Sequence, residues 1–259
     1  MSTTGKSTTE KQKKPSGLEG VIAASSALCT VDGEAGKLIY YGYDIRELAA
    51  KASFEEVVYL LWYGDLPTRP QLDSLNEALV ASRALPDEVV DIISAFPTTS
   101  LPMEVLRTAV SSLSAFDRNA CYYSHQANLC KAVRLVAQIP TVVATNHRLR
   151  TGRRPVAPRS DLGHAANFLY MMSGEDPDPV AVEAMDIALV LHAEHELNAS
   201  TFAARVSAAT LADMYSAITS AIGTLSGPLH GGANEAVLDM LMEIGSVDRA
   251  EPYSREALA

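Results

Sequence analysis

Beyond Tyr43 the chain is a run of amphipathic segments, each with its own start and stop residues, and this punctuation leaves room for little except packed helices. Ser53-Phe54-Glu55-Glu56 has the spacing of a capping box, in which a hydroxyl and a carboxylate three residues apart each take a free backbone N–H. Val57, Val58, Leu60 and Leu61 follow, and Gly64 stops the segment. Asp178-Pro179 is a second start: a capping carboxylate, then a proline whose missing N–H is harmless in the first turn. Gly64, Gly174 and Gly245 stand where left-handed stops are needed. Further helices are expected over Gln71–Arg83, Asp87–Phe96, Met103–Phe116, His125–Val136, Leu162–Ser173, Pro179–Leu197, Leu211–Leu225 and Asn234–Ile244. The strand signal is confined to Leu28–Tyr43, where Cys29-Thr30-Val31 leads through Asp32-Gly33 and Gly36 to Lys37-Leu38-Ile39-Tyr40-Tyr41, the pattern of a small hairpin.

The expected fold class is therefore mostly α with a short N-terminal β-hairpin. A βαβ alternation, a GxGxxG and a GxxxxGK[ST] are all missing from the sequence, so a Rossmann or P-loop nucleotide site has no support. Aromatics make up only 6% of a chain that is 47% hydrophobic, which suits aliphatic helices packed closely better than a sandwich or barrel. The net charge of −10 argues against a nucleic-acid partner, and it means that an anionic ligand must be held by locally placed Arg, Lys or His. No apolar run reaches the ~18 residues a membrane span needs, so no membrane association is expected. Cys29, Cys121 and Cys130 lack CxxC spacing and read as free, buried thiols of a reducing compartment; cytoplasm is the expected location. Residues 1–17 are polar, lack the marks of a secretory or mitochondrial signal, and are expected to be a disordered tail.

Two histidine regions carry the chemistry. Gly227-Pro228-Leu229-His230-Gly231-Gly232-Ala233-Asn234 places an imidazole at a bend between helices, with glycines that permit close approach. So held, a histidine can donate to an oxygen that gains negative charge during a reaction. The second region, His192-Ala193-Glu194-His195-Glu196-Leu197-Asn198, is expected to close the helix from Pro179. A metal site would need HExxH spacing and a third ligand, neither of which is present; histidines favoured by a helix C-terminus are the plainer reading. One helical hairpin separates His195 from His230, so antiparallel packing should bring both to one side of the bundle. The small residues of LADMYSAITSAIGTL at 211–225 allow close backbone approach, either as an internal helix or as the seam of a dimer. His147, Arg148, Arg150, Arg153, Arg154 and Arg159 could steer anions, but a solvated loop is the preferred reading; His125 and His164 are taken as structural.

HAEHELNASTFAARV at 192–206 and SAITSAIGTLSGPLHGGANEAV at 216–237 resemble the citrate synthase family, in its bacterial and archaeal citrate or 2-methylcitrate synthase form. GKLIYYGYDIRELA at 36–49, PMEVLRTAV at 102–110 and DLGHAANFLYMMSGEDP at 161–177 support the resemblance, which runs in order from about Gly17. It implies a large helical domain over 18–230 and the start of a small domain over 231–259, the rest of it lying beyond the chain. The implied reaction condenses acetyl-CoA or propionyl-CoA with oxaloacetate, giving citrate or 2-methylcitrate and coenzyme A, with no metal or other cofactor. In that scheme His230 donates to the thioester oxygen as the enol forms, and His195 binds oxaloacetate with Asn198 beside it. The family's further histidine, its aspartate base and its carboxylate-gripping arginines fall after Ala259, and Glu194, Tyr41 and Leu101 replace the residues common at those positions. The implied partners are oxaloacetate, an acyl-CoA and a second copy of the chain in a homodimer. The rival expectation is a catalytically incomplete fragment that serves as a dimerisation or binding partner.

Overall fold

A computed structural model describes residues 24–257, so the tail expected over residues 1–17 lies outside the described residues. The strand signal folds into a three-stranded antiparallel sheet in sequence order: β1 (Cys29–Asp32), β2 (Lys37–Tyr40) and β3 (Tyr43–Asp44). Val31 lies opposite Leu38 and Cys29 opposite Tyr40. Asp32 Oδ1 accepts the Ala35 N–H at 2.9 Å, and Gly36, at φ +60°, completes the turn in a conformation that favours glycine. Asp44 then caps α1 (Ile45–Lys51) by accepting the Arg46 N–H at 2.9 Å.

The helices that follow are α2 (Phe54–Tyr63), α3 (Arg69–Ala81), α4 (Asp87–Ser94), α5 (Pro102–Leu113), α6 (His125–Arg150), α7 (His164–Ser173), α8 (Pro179–Leu191), α9 (Ala199–Ala209), α10 (Met214–Leu225), α11 (Gly232–Ile244) and α12 (Val247–Ala257). The capping box of α2 is complete: Ser53 Oγ accepts the Glu56 N–H at 3.3 Å, and Glu56 Oε2 accepts the Ser53 N–H at 2.8 Å. Gly64, Gly174 and Gly245 all end helices at positive φ.

Three expectations are corrected. The helix beginning at His125 continues through Pro140 to Arg150 instead of ending at Val136. Interior proline removes one N–H and costs roughly 3 kcal/mol. Leu135, Ala137, Val142 and Ala144, all buried on α6 around it, outweigh that cost at about 1–3 kcal/mol for each larger side chain. The helix from Pro179 stops at Leu191, six residues short, and the histidine segment becomes a connecting loop. The helix expected from Leu211 begins at Met214, after the Asp213 cap, and a separate helix, α9, fills 199–209. Helices α1 and α12 were not among the expected elements.

Two of the clusters of buried side chains hold α8 and α10 in place. One joins α4, α5, α6 and α10 through Ile93, Val105, Val110, Leu135, Val142 and Tyr215. The other joins the sheet to α1, α2 and α8 through Tyr40, Leu48, Val57, Leu60 and Val190. The helices α9 and α10 form an antiparallel hairpin, and α10 lies on α5 and α6. Their small residues let them touch through side chains as short as serine, Ser207 Oγ donating to Ser220 Oγ at 2.8 Å. At the far side of α10, Asp117 accepts from the Tyr215 hydroxyl at 2.9 Å and pairs with Arg134 of α6.

Candidate active site

The loop 192–198 and the turn 226–231 lie at the same end of the α9–α10 hairpin, because one precedes α9 and the other follows α10. Both open on a cavity of about 790 Å³ lined by His195, Asn198, Ser200 and His230. Tyr123 and Arg205 also reach it, while Ala204, Ala208, Ala217 and Ala221 keep its helical wall low. Thus His195, Asn198 and His230, singled out in the sequence, share one cavity.

Each imidazole is held by a residue of the first turn of α9. Asn198 caps that helix, its Oδ1 accepting the Thr201 N–H at 3.0 Å. This assigns the amide orientation, since the oxygen is occupied and the NH₂ remains to face His195 Nδ1 at 3.3 Å. A ring that accepts at Nδ1 carries its proton on Nε2, where it is free to donate to a ligand oxygen. His195 is exposed and His230 half-buried. His230 Nε2 lies 2.8 Å from Ser200 Oγ, which is also 3.1 Å from the Ala221 carbonyl. Ser200 Oγ has one proton and gives it to the Ala221 carbonyl, so its oxygen accepts from His230 Nε2. Ser200 was not singled out from the sequence, although it lies two residues past Asn198 within the same motif.

The turn that carries His230 is tight: the His230 and Gly231 N–H groups both donate to the Gly227 carbonyl, at 3.0 and 3.1 Å. A Cβ on Gly231 would sit 2.0 Å from the Leu225 carbonyl oxygen. The glycine after the histidine is therefore required by the chain's own backbone at Leu225. The loop around His195 is just as constrained. Glu194 donates its N–H to the Tyr40 hydroxyl at 3.2 Å, and burial pushes its carboxyl above the usual carboxylate range against the pull of the Glu196 N–H and His195.

His192 also lines the cavity, but the reading of His192 with His195 as a helical pair does not hold, because both lie past the end of α8. The His192 Nδ1 lies 2.7 Å from the Ala188 carbonyl, as a donor that covers the helix terminus. The basic segment is divided. Arg148 lies within α6 and donates to the Ser173 carbonyl at 2.8 Å, closing the end of α7, and Arg159 pairs with Asp161 and Asp176. His164 is buried against Phe54, and burial lowers its pKa to about 4 despite the opposing charge of Glu55. Among the described residues, no helix is long and apolar enough to cross a membrane.

The profile of the family described as citrate synthase, C-terminal domain, matches residues 17–259. The chain belongs to the citrate synthase family. It is 50% identical over 243 residues to citrate synthase 2 of Bacillus subtilis, a match that covers 93% of this chain and 65% of the relative. It is 44% identical over 243 residues to the 2-methylcitrate synthase of Mycobacterium tuberculosis, covering 94% of this chain and 61% of that one. The structure of the Thermoplasma acidophilum citrate synthase in ternary complex with carboxymethyl coenzyme A and oxaloacetate matches with a TM-score of 0.82 at 31% identity, covering 92% of this chain and 63% of the other. This citrate synthase family chain thus spans just under two thirds of the length of these relatives. Its helices and N-terminal three-stranded sheet have the citrate synthase fold.

Proposed function

We propose that the cavity binds oxaloacetate and an acyl-CoA and serves their condensation to citrate, or to 2-methylcitrate when the acyl group is propionyl. The observation that carries this reading is the convergence of His195 and His230 on one cavity, each oriented by the first turn of α9. A thioester α-carbon is a very weak acid, so its proton leaves only if the enol oxygen is stabilised as it forms. In the free chain His230 Nε2 donates to Ser200 Oγ, and with the thioester bound it donates to the enol oxygen instead. His195 donates from Nε2 to the keto oxygen of oxaloacetate and makes the keto carbon electrophilic. The enol carbon attacks that carbon, the keto oxygen takes up a proton, and water then cleaves the thioester to release coenzyme A. No metal or further cofactor enters this scheme.

Among the described residues that line the cavity there is no carboxylate. The base that accepts the α-proton therefore comes from outside this lining, which favours a second reading: a chain that holds substrate but is catalytically incomplete by itself. Titration of the 259-residue chain with oxaloacetate, together with a thiol-release assay on acetyl- and propionyl-CoA, separates the two. Binding lost in His195→Ala with thiol release lost in His230→Ala supports the enzyme. Binding without thiol release supports the incomplete chain, and neither binding nor release overturns both.

Residues 18–230 form the large domain in this proposal, and 231–259 begin the small one; α11 packs against α12. Phe202 and Val206 of α9 and Leu225 of α10 expose apolar side chains, which supports a homodimer formed through these helices. Of the thiols expected to be buried, only Cys29 is; Cys121 and Cys130 are exposed and free, which supports a reducing, cytoplasmic setting.

A further inference from the structure

We propose that the N-terminal sheet positions His195, with Glu196 as the positioning residue; this rests on the keto-acid role given to His195 above. His195 lies on an exposed loop, and among the described residues its ring makes one side-chain hydrogen bond, to Asn198 at the long distance of 3.3 Å. Asn198 can orient the ring only if the backbone on either side of His195 is held in place, and both flanking residues are tied to strands more than 150 positions earlier.

On one side, Glu196 adopts φ +69°, a left-handed conformation that a residue with a Cβ takes only under steric strain. Glycine would remove that strain, but glycine has no carboxylate. Glu196 Oε1 accepts the Val31 N–H of β1 at 3.0 Å. β1 is an edge strand, and this N–H is turned away from β2, so Glu196 occupies a donor the sheet leaves open. On the other side, the hydroxyl of fully buried Tyr40 on β2 accepts the Glu194 N–H at 3.2 Å while reaching the Val190 carbonyl at 3.2 Å. Glu194 closes the loop on itself, its Oε1 accepting the Glu196 N–H at 2.6 Å. The buried Cys29 side chain of β1 lies against this segment too, its thiol held above the usual range by burial, with Glu194 and Glu196 close by. The residues on each side of His195 are thus anchored to the sheet, which fixes where the ring meets Asn198 and the cavity.

The test uses the full 259-residue chain with ¹⁵N-labelled histidine. Its readouts are the ring resonances of His195, assigned by loss in H195Q, and calorimetric titration with oxaloacetate. E196Q keeps an acceptor for Val31, E196G removes the acceptor while relieving the backbone, and Y40F removes the hydroxyl that receives Glu194. The wild type and E196Q are expected to show one neutral tautomer, protonated at Nε2, and oxaloacetate Kd values within about twofold of each other. E196G and Y40F are expected to show averaged ring resonances and a Kd weaker by roughly five- to tenfold, the scale of one lost orienting hydrogen bond. Wild-type ring resonances in both E196G and Y40F overturn the proposal, whatever their melting temperatures. If the wild type binds no oxaloacetate, the keto-acid reading fails, and the ring resonances of the free protein still decide whether the sheet positions His195.

Discussion

Asn198 has two duties that substitutions can separate. Its oxygen caps α9 and its NH₂ faces His195. Asn198→Ala removes both: it should cost about 1 kcal/mol, a fall of roughly 2–4 °C in melting temperature for a chain of this size, and weaken oxaloacetate binding as well. Asn198→Asp keeps a capping oxygen and adds a charge that suits a helix N-terminus, so its melting temperature should hold. It also presents an acceptor to His195 Nδ1, which draws the ring proton away from Nε2, so calorimetry should show weaker oxaloacetate binding in a protein that is no less stable. A second residue-scale prediction concerns His164. Burial lowers its folded pKa to about 4 from an ordinary value of 6.5, so between these values the unfolded chain binds a proton that the folded chain refuses. This contribution to stability is present above about pH 6.5 and is lost as pH falls toward 4. His164→Asn, which stays neutral throughout, should flatten the dependence of denaturation midpoint on pH across that window.

Between helices, the turn 226–231 and the Asp117 cluster bear the most constraint. Gly231→Ala would force a Cβ into the Leu225 carbonyl, 2.0 Å away, so the turn must open and carry His230 with it. The expected outcome is loss of the Ser200–His230 contact, read as a change in the His230 ring resonances, together with a melting temperature lower by several degrees, as for a cost of about 1–3 kcal/mol. Asp117 ties α10 to α6. Burial raises its pKa, but the Asn119 N–H, Arg134 and Tyr215 outweigh that and hold it below the usual carboxylate range. Its contribution is therefore present above the ordinary carboxylate pKa and fades as pH drops through the lower folded value. Tyr215→Phe should cost about 1–2 kcal/mol by removing one partner of a buried carboxylate, measured by chemical denaturation near neutral pH.

At the scale of the whole molecule, the exposed apolar residues of α9 and α10 should be covered by a second copy. Sedimentation of the 259-residue chain is expected to show a dimer, and Val206→Glu, at a side chain 53% exposed, should shift it to monomer by placing charges in the seam. A monomeric wild type would remove the dimer from the proposal without touching the histidine cavity, whose described lining belongs to one chain.

Much of this molecule was legible in its residue order. The Ser53–Glu56 box, the Asp178-Pro179 start and the Gly64, Gly174 and Gly245 stops act over one helical turn, so they can be read without the rest of the fold. The likeness around His195 and His230 identified the family for the same reason: both motifs are short and continuous. The misplaced boundaries were those that distant partners decide. Pro140 passes through α6 because buried neighbours hold the helix, and Ala193–Leu197 leaves the helical pattern because Tyr40 and Val31 hold Glu194 and Glu196. Ser200 gained its place beside His230 only when α9 and α10 packed. Local capping and glycine chemistry lie within a few residues of sequence, whereas the orientation of an imidazole depends on hydrogen bonds from elements far away, and only the tertiary structure brings those together.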